Sequence, residues 1–329
     1  MYNVAIVGCG VIGTRLAGSF TEHEATTVWG ACDLDEARVE AFAEEWDCEA
    51  FTDAETMISN DEVDIVYVGV PPTVHHEMVT TALEHEKHVI CEKPIAEDAD
   101  VGQELADCEA ETDRVTAVNL PFRYTPGFVE MRERVQAGEV GDPQRISLTF
   151  RFPQWPREWQ DVAWLEGREQ GGPLREVGTH YLFGVQEIFG GIDRVTAEVE
   201  YSGPDRYEES IVGYFTAGAG SDAWGDGIPG TIDLVTDCAA DEQNSITVLG
   251  TETQFSLLEW YRLVEHGEGA DESSLNEMRE QTTVTLVDEF VKEMEGVGGD
   301  LVSFAEATQV QRVVDAIFAS DGERVTVEN

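Results

Sequence analysis

The chain has 329 residues, 42% of them apolar, and sets 67 acidic against 20 basic residues for a formal charge of −47. The length supplies one large or two ordinary domains, and the apolar share excludes a disordered chain. The lack of a basic patch excludes a nucleic-acid surface, and no apolar run approaches the ~18 residues of a membrane span.

The first predicted strand is Tyr2 to Val7, followed by Gly8-Cys9-Gly10-Val11-Ile12-Gly13 and an amphipathic helix from Thr14 to Phe20. This is G-x-G-x-x-G in a strand–turn–helix setting. Gly8 allows the tight turn, Gly10 lets backbone approach a pyrophosphate, and Gly13 allows close helix–strand packing. Val11 and Ile12 complete the turn, so the whole run is expected to line a dinucleotide. A second strand, Thr27 to Ala31, ends at Asp33, twenty-five residues after Gly8. An acid near that distance takes the adenosine ribose hydroxyls and repels a 2′-phosphate, which favours NAD over NADP. Arg38 lies close enough to soften that preference, and Asp33 has a rival reading as the N-cap of the next helix.

The alternation continues with helices at Asp35 to Trp46 and Asp53 to Ser59, then a strand at Val63 to Val68. Helix Thr73 to Glu84, strand His88 to Cys91, helix Ala99 to Ala110 and strand Arg114 to Val118 complete the half. Strands alternating with helices predict a doubly wound parallel sheet, whose ligands lie beyond the carboxyl ends of the strands. Gly8, Asp33, Val70, Pro71, Glu92, Lys93 and Asn119 all fall at such ends.

Lys93 stands out for a second reason: the chain has only three lysines, Lys87, Lys93 and Lys292. Where Arg supplies nearly all cations, a Lys at a strand end suits chemistry that needs a compact, titratable ammonium.

Beyond Asn119 the pattern changes. A connector, Pro121 to Pro126, leads to a helix at Gly127 to Ala137. Longer alternating runs follow at Arg145 to Phe152, Arg194 to Tyr201, Ser210 to Thr216, Thr231 to Thr236, Ser245 to Leu249 and Thr282 to Val287. They predict a mostly antiparallel sheet with helices on one face. Ala217 to Gly230 reads as a Gly-rich hairpin loop, His266 to Ser274 as an exposed acidic loop, and Phe304 to Ala319 as a closing helix. The fold class is therefore α/β, a Rossmann-type domain over 1–120 and an α+β domain with an open sheet over 121–329.

Within the second domain, Gly171-Gly172-Pro173-Leu174-Arg175-Glu176-Val177-Gly178-Thr179-His180 opens a helix. Glu176 and His180 are four apart and would share a face, where a carboxylate can orient an imidazole for general-base work. A surface ion pair is the plainer reading of such spacing. Trp155, Trp159 and Trp164, with Arg151 and Arg157 beside them, suit sugar faces or simple packing.

His75-His76-Glu77 does not read as a metal site, because adjacent helical positions point about 100° apart. The six cysteines include no C-x-x-C pair and read as free, buried thiols. Acids spread along the whole chain, with lysine nearly absent, read as salt adaptation in a halophile; at molar salt the Debye length falls to about 3 Å and self-repulsion fades. The opening strand shows no signal-peptide pattern, so a cytoplasmic location is expected.

Three segments in chain order, G-C-G-V-I-G, C-E-K-P-I-A and G-G-P-L-R-E-V-G-T-H, resemble the glucose–fructose oxidoreductase and inositol 2-dehydrogenase family. Pro71-Pro72-Thr73-Val74-His75, the 119–126 linker and the 303–320 tail look similar as well. The resemblance implies a C-terminal open sheet often used for dimer or tetramer contacts. It implies NAD, or less favourably NADP, and hydride exchange with a sugar or cyclic polyol. Lys93 matches the lysine that bonds the reacting oxygen, before a cis Lys93–Pro94 bond, and His180 matches the acid/base histidine. Val70, Pro71, His75, Glu92 and Asn119 join the cofactor residues, and Arg123 and Trp159 are candidates for substrate contact. Glu176 and Phe183 stand where many members carry Asp. That departure leaves room for a silent dinucleotide-binding sensor, and some relatives of the fold reduce imines or tetrapyrroles.

Overall fold

The computed structural model describes residues 1–160, 162–266 and 279–328. They form two compact units: 1–124 with 279–308, and 125–278 with 309–329.

The first unit alternates as its sequence predicts. Strands β1 (Tyr2–Val7), β2 (Thr26–Cys32), β3 (Glu49–Phe51), β4 (Ile65–Val68), β5 (His88–Cys91) and β6 (Thr116–Val118) form its sheet. Helices α1 (Val11–Glu22), α2 (Glu36–Trp46), α3 (Ala54–Ile58), α4 (Pro72–Glu84) and α5 (Ala99–Glu111) connect them. The sheet order is β3-β2-β1-β4-β5-β6, with every pairing parallel. Strand β4 is buried along its whole length, as a parallel strand covered on both faces must be. The order reverses between β1 and β4, the point at which such sheets bind ligands beyond the carboxyl ends of their strands.

In the second unit, α6 (Pro126–Gln136) precedes β7 (Pro143–Arg151). After a long connection come α7 (Thr179–Phe189), β8 (Ile192–Tyr201), β9 (Glu208–Ala217), β10 (Ile228–Val235) and β11 (Gln243–Gly250). Then follow β12 (Gln254–Leu258) and β13 (Arg262–His266). The sheet order is β13-β12-β11-β7-β10-β9-β8-β14, where β14 is Val325–Thr326. Only β7 and β10 pair in parallel. Strand β10 alternates buried with half-buried or exposed positions, so one sheet face packs and the other does not. The hairpin expected near Ala217 to Gly230 is the antiparallel β9–β10 pair. The acidic loop expected at His266 to Ser274 lies outside the described residues beyond His266.

One predicted strand is corrected. Thr282 to Val287 is helical, part of α8 (Arg279–Met294), and belongs to the first unit. Five of its six residues are β-branched, which favours a strand. The buried positions, however, are Thr282, Thr283, Leu286, Val287, Phe290 and Val291. They recur at helical spacing, and burial of that stripe outweighs β-propensity. Leu286, Val287, Phe290 and Val291 share one core with Leu16, Phe20, Ile65 and Tyr67. The Thr283 hydroxyl also accepts from Ser19 at 2.7 Å. The closing helix α9 (Phe304–Ala319) falls where its sequence predicts.

Two of the three lysines have structural work. Lys87 is buried and donates to the Asn60 and Val63 carbonyls, both at 2.9 Å. Lys292 pairs with Asp288 and Glu289. The third, Lys93, is half-buried just beyond β5.

Candidate active site

The glycine turn is built as its spacing demands. Gly8 adopts φ +103, and a Cβ there would meet the Gly69 carbonyl oxygen at 2.2 Å. A Cβ on Gly13 would meet the Gly8 carbonyl oxygen at 2.0 Å, so α1 lies too close to β1 for any side chain. Gly10 differs: nothing lies within 4 Å of its Cβ position. The open space stands over the N-terminus of α1, with Val11 60% exposed beside it.

Helix ends in this unit separate into two kinds. Helices α2, α3 and α5 carry Asp35, Asp53 and Asp98 as N-caps and an acid in the first turn. Helices α1 and α4 have neither; their N-caps are Gly10 and Pro71. In so acidic a chain, these two helices leave their donor ends, and the positive end of each dipole, to an outside anion. They follow β1 and β4, the strands at which the sheet order reverses.

Asp33 is tied to the same turn. Its Oδ2 accepts from the Cys9 N–H at 3.0 Å, and its Oδ1 accepts from the Asp35 N–H at 3.0 Å. Arg38 reaches it at 3.3 Å. The N-cap of α2 is Asp35, not Asp33, which removes the rival reading of Asp33. Burial pushes the neighbouring thiols up, Cys9 to about 12 and Cys32 to about 11, away from the thiolate form.

Glu92 and Asn119 meet at the ends of β5 and β6. Glu92 Oε1 accepts from Asn119 Nδ2 and from the Tyr67 hydroxyl, both at 2.7 Å. Burial raises the Glu92 carboxyl, and the bonds from Asn119 and Tyr67 oppose the rise. Asn119 is 5% exposed, and its Oδ1 has no hydrogen-bond partner among the described residues. A buried acceptor left open at a strand end fits a ligand that brings a donor, such as a ribose hydroxyl or a carboxamide. Together with the open space at Gly10 and the acid-free helix ends, it fits a dinucleotide. Sequence reasoning had no signal for Tyr67, which shares its end of β4 with Gly69; a Cβ on Gly69 would strike its ring at 2.6 Å.

One expected contact is corrected, and a second residue has partners that its sequence did not show. His75 has no exposed surface; its ring nitrogens lie 2.8 Å from the Val70 oxygen and 3.2 Å from the Ile95 oxygen. It pins the segments after β4 and β5 to each other and does not face a ligand. Arg123 is held by Asp300 at 2.7 Å and Glu306 at 2.6 Å, which gives its guanidinium two partners within the protein. Val70 and Pro71 are half-buried at the start of α4. The bond preceding Pro94 is cis.

In the second unit the G-G-P-L-R-E-V-G-T-H segment winds differently from its expected α-helix. Leu174–Gly178 forms a π turn that runs straight into α7. The sequence explains the wide turn. A Cβ on Gly178 would strike Leu174 Cδ1 at 2.6 Å, and Thr179 Oγ1 donates to the Arg175 carbonyl at 2.8 Å. Glycine makes the room, and the hydroxyl satisfies a carbonyl in the wide turn. Glu176 Oε1 accepts from Gln160 Nε2 at 3.2 Å.

His180 is 6% exposed, with the Trp260 ring edge-on at 4.9 Å. Glu259 and Trp260, between β12 and β13, take φ 52 and 75. Two consecutive non-glycine residues in the left-handed region are uncommon. This turn places Trp260 against His180 and Tyr181. No sequence pattern marked Trp260. Phe183, where many members have Asp, is fully buried. Trp159 is 51% exposed, with Arg157 5.6 Å from its ring, whereas Trp155 is buried and bonds the Leu165 carbonyl.

Comparison with known proteins agrees with this division. Residues 2–120 match the model of an oxidoreductase family with an NAD-binding Rossmann fold, and residues 128–256 match the GFO/IDH/MocA C-terminal domain. The inositol 2-dehydrogenase of Rubrobacter xylanophilus is 35% identical over 144 residues, 42% of each chain. A dTDP-3,4-didehydro-2,6-dideoxy-α-D-glucose 3-reductase of Saccharopolyspora spinosa is 26% identical over 210 residues, 61% of each chain. The chain thus matches less than two thirds of these curated relatives' length. Among solved structures, an oxidoreductase from Thermotoga maritima superposes with a TM-score of 0.86 at 21% identity, covering 99% of this chain and 98% of that one. A levoglucosan dehydrogenase solved with NADH and L-sorbose superposes at 0.87 with 17% identity, covering 100% and 99%. With both family domains matched in order, the chain belongs to the GFO/IDH/MocA oxidoreductase family.

Proposed function

We propose that the chain is an NAD-dependent oxidoreductase that exchanges hydride with a CH–OH or carbonyl carbon of a sugar or cyclic polyol. The observation that carries this reading is the alignment of three strand ends in one sheet. Adjacent strands β1, β4 and β5 present the glycine turn, the acid-free start of α4 and Lys93 at the same edge. Relatives named for sugar and polyol chemistry support it.

NAD, when bound, supplies the two-electron chemistry. Gly8, Gly10, Val11, Ile12 and Gly13 would hold its pyrophosphate, Asp33 its adenosine ribose, and Glu92 and Asn119 its other half. Lys93 donates to the reacting oxygen and stabilises the negative charge that develops there. His180 takes the hydroxyl proton, and Trp260 presents an aromatic wall beside it. Glu176, four residues before His180, is the carboxylate that would hold the imidazole.

The test is NADH formation against a panel of aldoses, inositols and sugar acids. Molar KCl is the medium because charge of −47 calls for screening. Turnover of one substrate class supports the reading. NAD binding with no turnover across the panel overturns it and leaves the silent sensor.

Cofactor choice has its own test. With Asp33 replaced by Ser, NAD affinity is expected to fall about tenfold, since a charged hydrogen bond is worth about 1.5–3 kcal/mol and water recovers part of it. Arg38 then loses its carboxylate and becomes available to a 2′-phosphate, so NADP affinity rises. Fluorescence titration of both cofactors measures the ratio; an unchanged ratio would remove Asp33 from the ribose site.

A further inference from the structure

The connection between β8 and β9 returns a carboxylate into the base of the helix that bears His180. Glu208, the first residue of β9, has no exposed surface. Its Oε1 accepts from the Leu174 N–H at 2.6 Å, where the π turn begins. Gly172, at φ +95, presses its backbone on the same carboxylate; a Cβ there would lie 2.2 Å from Oε2. Any other residue at 172 would push the carboxylate off the turn. Oε2 has no hydrogen-bond partner among the described residues.

Stability alone does not account for this group. A desolvated carboxylate with one open oxygen is costly, and an apolar residue of similar volume is often as good or better. What the carboxylate does supply is an anchor for a helix end, with charge of the sign that end favours. The anchored N–H starts the wide turn Leu174–Gly178, whose winding sets the direction in which α7 leaves and hence the angular position of His180.

We propose that Glu208 is a positioning residue for His180: its carboxylate seats the N-terminal end of the π turn and so fixes the winding that aims the imidazole. This rests on His180 being the proton acceptor of the reaction. The charged group facing Glu208 is Arg175, on the π turn itself; Arg175 in turn faces Asp315 on α9 and Tyr201 on β8. Burial pushes the Glu208 carboxyl up to about 7, against the Leu174 N–H, its own N–H and Arg175. The seat is therefore neutral in mild acid and becomes charged, and tighter, as pH rises through that value.

The experiment follows the Leu174 amide in leucine-labelled protein by NMR between pH 5 and 9, with activity measured in parallel. In the wild type the resonance is expected to titrate with a midpoint near 7, and in Glu208→Gln the titration disappears. Glu208→Ala is expected to lower kcat about 10- to 100-fold through misplacement of His180, with NAD affinity unchanged. Glu208→Gln, which keeps an acceptor for Leu174, restores most of it. A Leu174 amide that ignores pH in folded wild type, or a folded Glu208→Ala with wild-type kcat, overturns the proposal. If Glu208→Ala does not fold, the titration in wild type and Glu208→Gln decides. If no sugar is turned over at all, the dehydrogenase reading fails separately. The His180 ring resonances in wild type and Glu208→Gln then show whether Glu208 controls the imidazole, and their indifference to Glu208 counts against the proposal.

Discussion

Lys93→Ala is expected to lower kcat about 10²–10³-fold, the usual cost of removing one donor from a developing oxyanion. NAD affinity should change by no more than about threefold, because the loss is confined to the transition state. Stopped-flow NADH formation and a fluorescence titration of NAD separate the two. Lys93→Arg should not restore activity: the planar guanidinium spreads its charge and places its donors in a fixed fork, whereas the reaction needs one compact ammonium. The composition sharpens this test. The chain has only three lysines, and Lys87 and Lys292 are committed to carbonyls and carboxylates. A Lys93→Ala enzyme with wild-type turnover would dismiss the proposed chemistry.

The second large effect is expected at His180. His180→Ala should lose about 10²–10⁴-fold in kcat, as removal of a general base does, and added imidazole should recover part of it. Glu176→Gln should lose less, about tenfold, because a carboxylate that orients an imidazole acts through it, and an amide at 176 keeps an acceptor for Gln160. The comparison of the two variants on one substrate is informative by itself. Equal losses would mean that the Glu176 carboxylate is as necessary to the proton transfer as the imidazole itself. Imidazole rescue of His180→Ala alone would tie the defect to a missing proton acceptor rather than to a disturbed helix.

Much of the first unit was legible because its signals are local. Alternating strands and helices, a glycine turn and an acid at the next strand end are each settled within about two turns of chain. Strands β1 and β5 and helix α9 fall at their predicted limits for that reason. The turn itself could have been drawn from its glycines, since Gly8 and Gly13 leave no room for a Cβ.

What the sequence did not determine depends on partners far away in the chain. Thr282 to Val287 reads as a strand until its neighbours Leu16, Phe20 and Ile65 show which spacing is buried. The partners of Arg123 are hidden until Asp300 and Glu306, 177 and 183 residues later, are found on it. His75 looks like a cofactor contact until Val70 and Ile95 close around both its nitrogens. Trp260 and Glu208 carry no motif, yet one lies against His180 and the other beneath its helix. Hydrophobic period and turn chemistry are written over a few consecutive residues, and those the sequence by itself determined: the Rossmann half, the family motifs and the candidates Lys93 and His180. Which buried polar group meets which is decided by desolvation, since each must find a partner wherever the fold supplies one, and only the tertiary structure shows that choice.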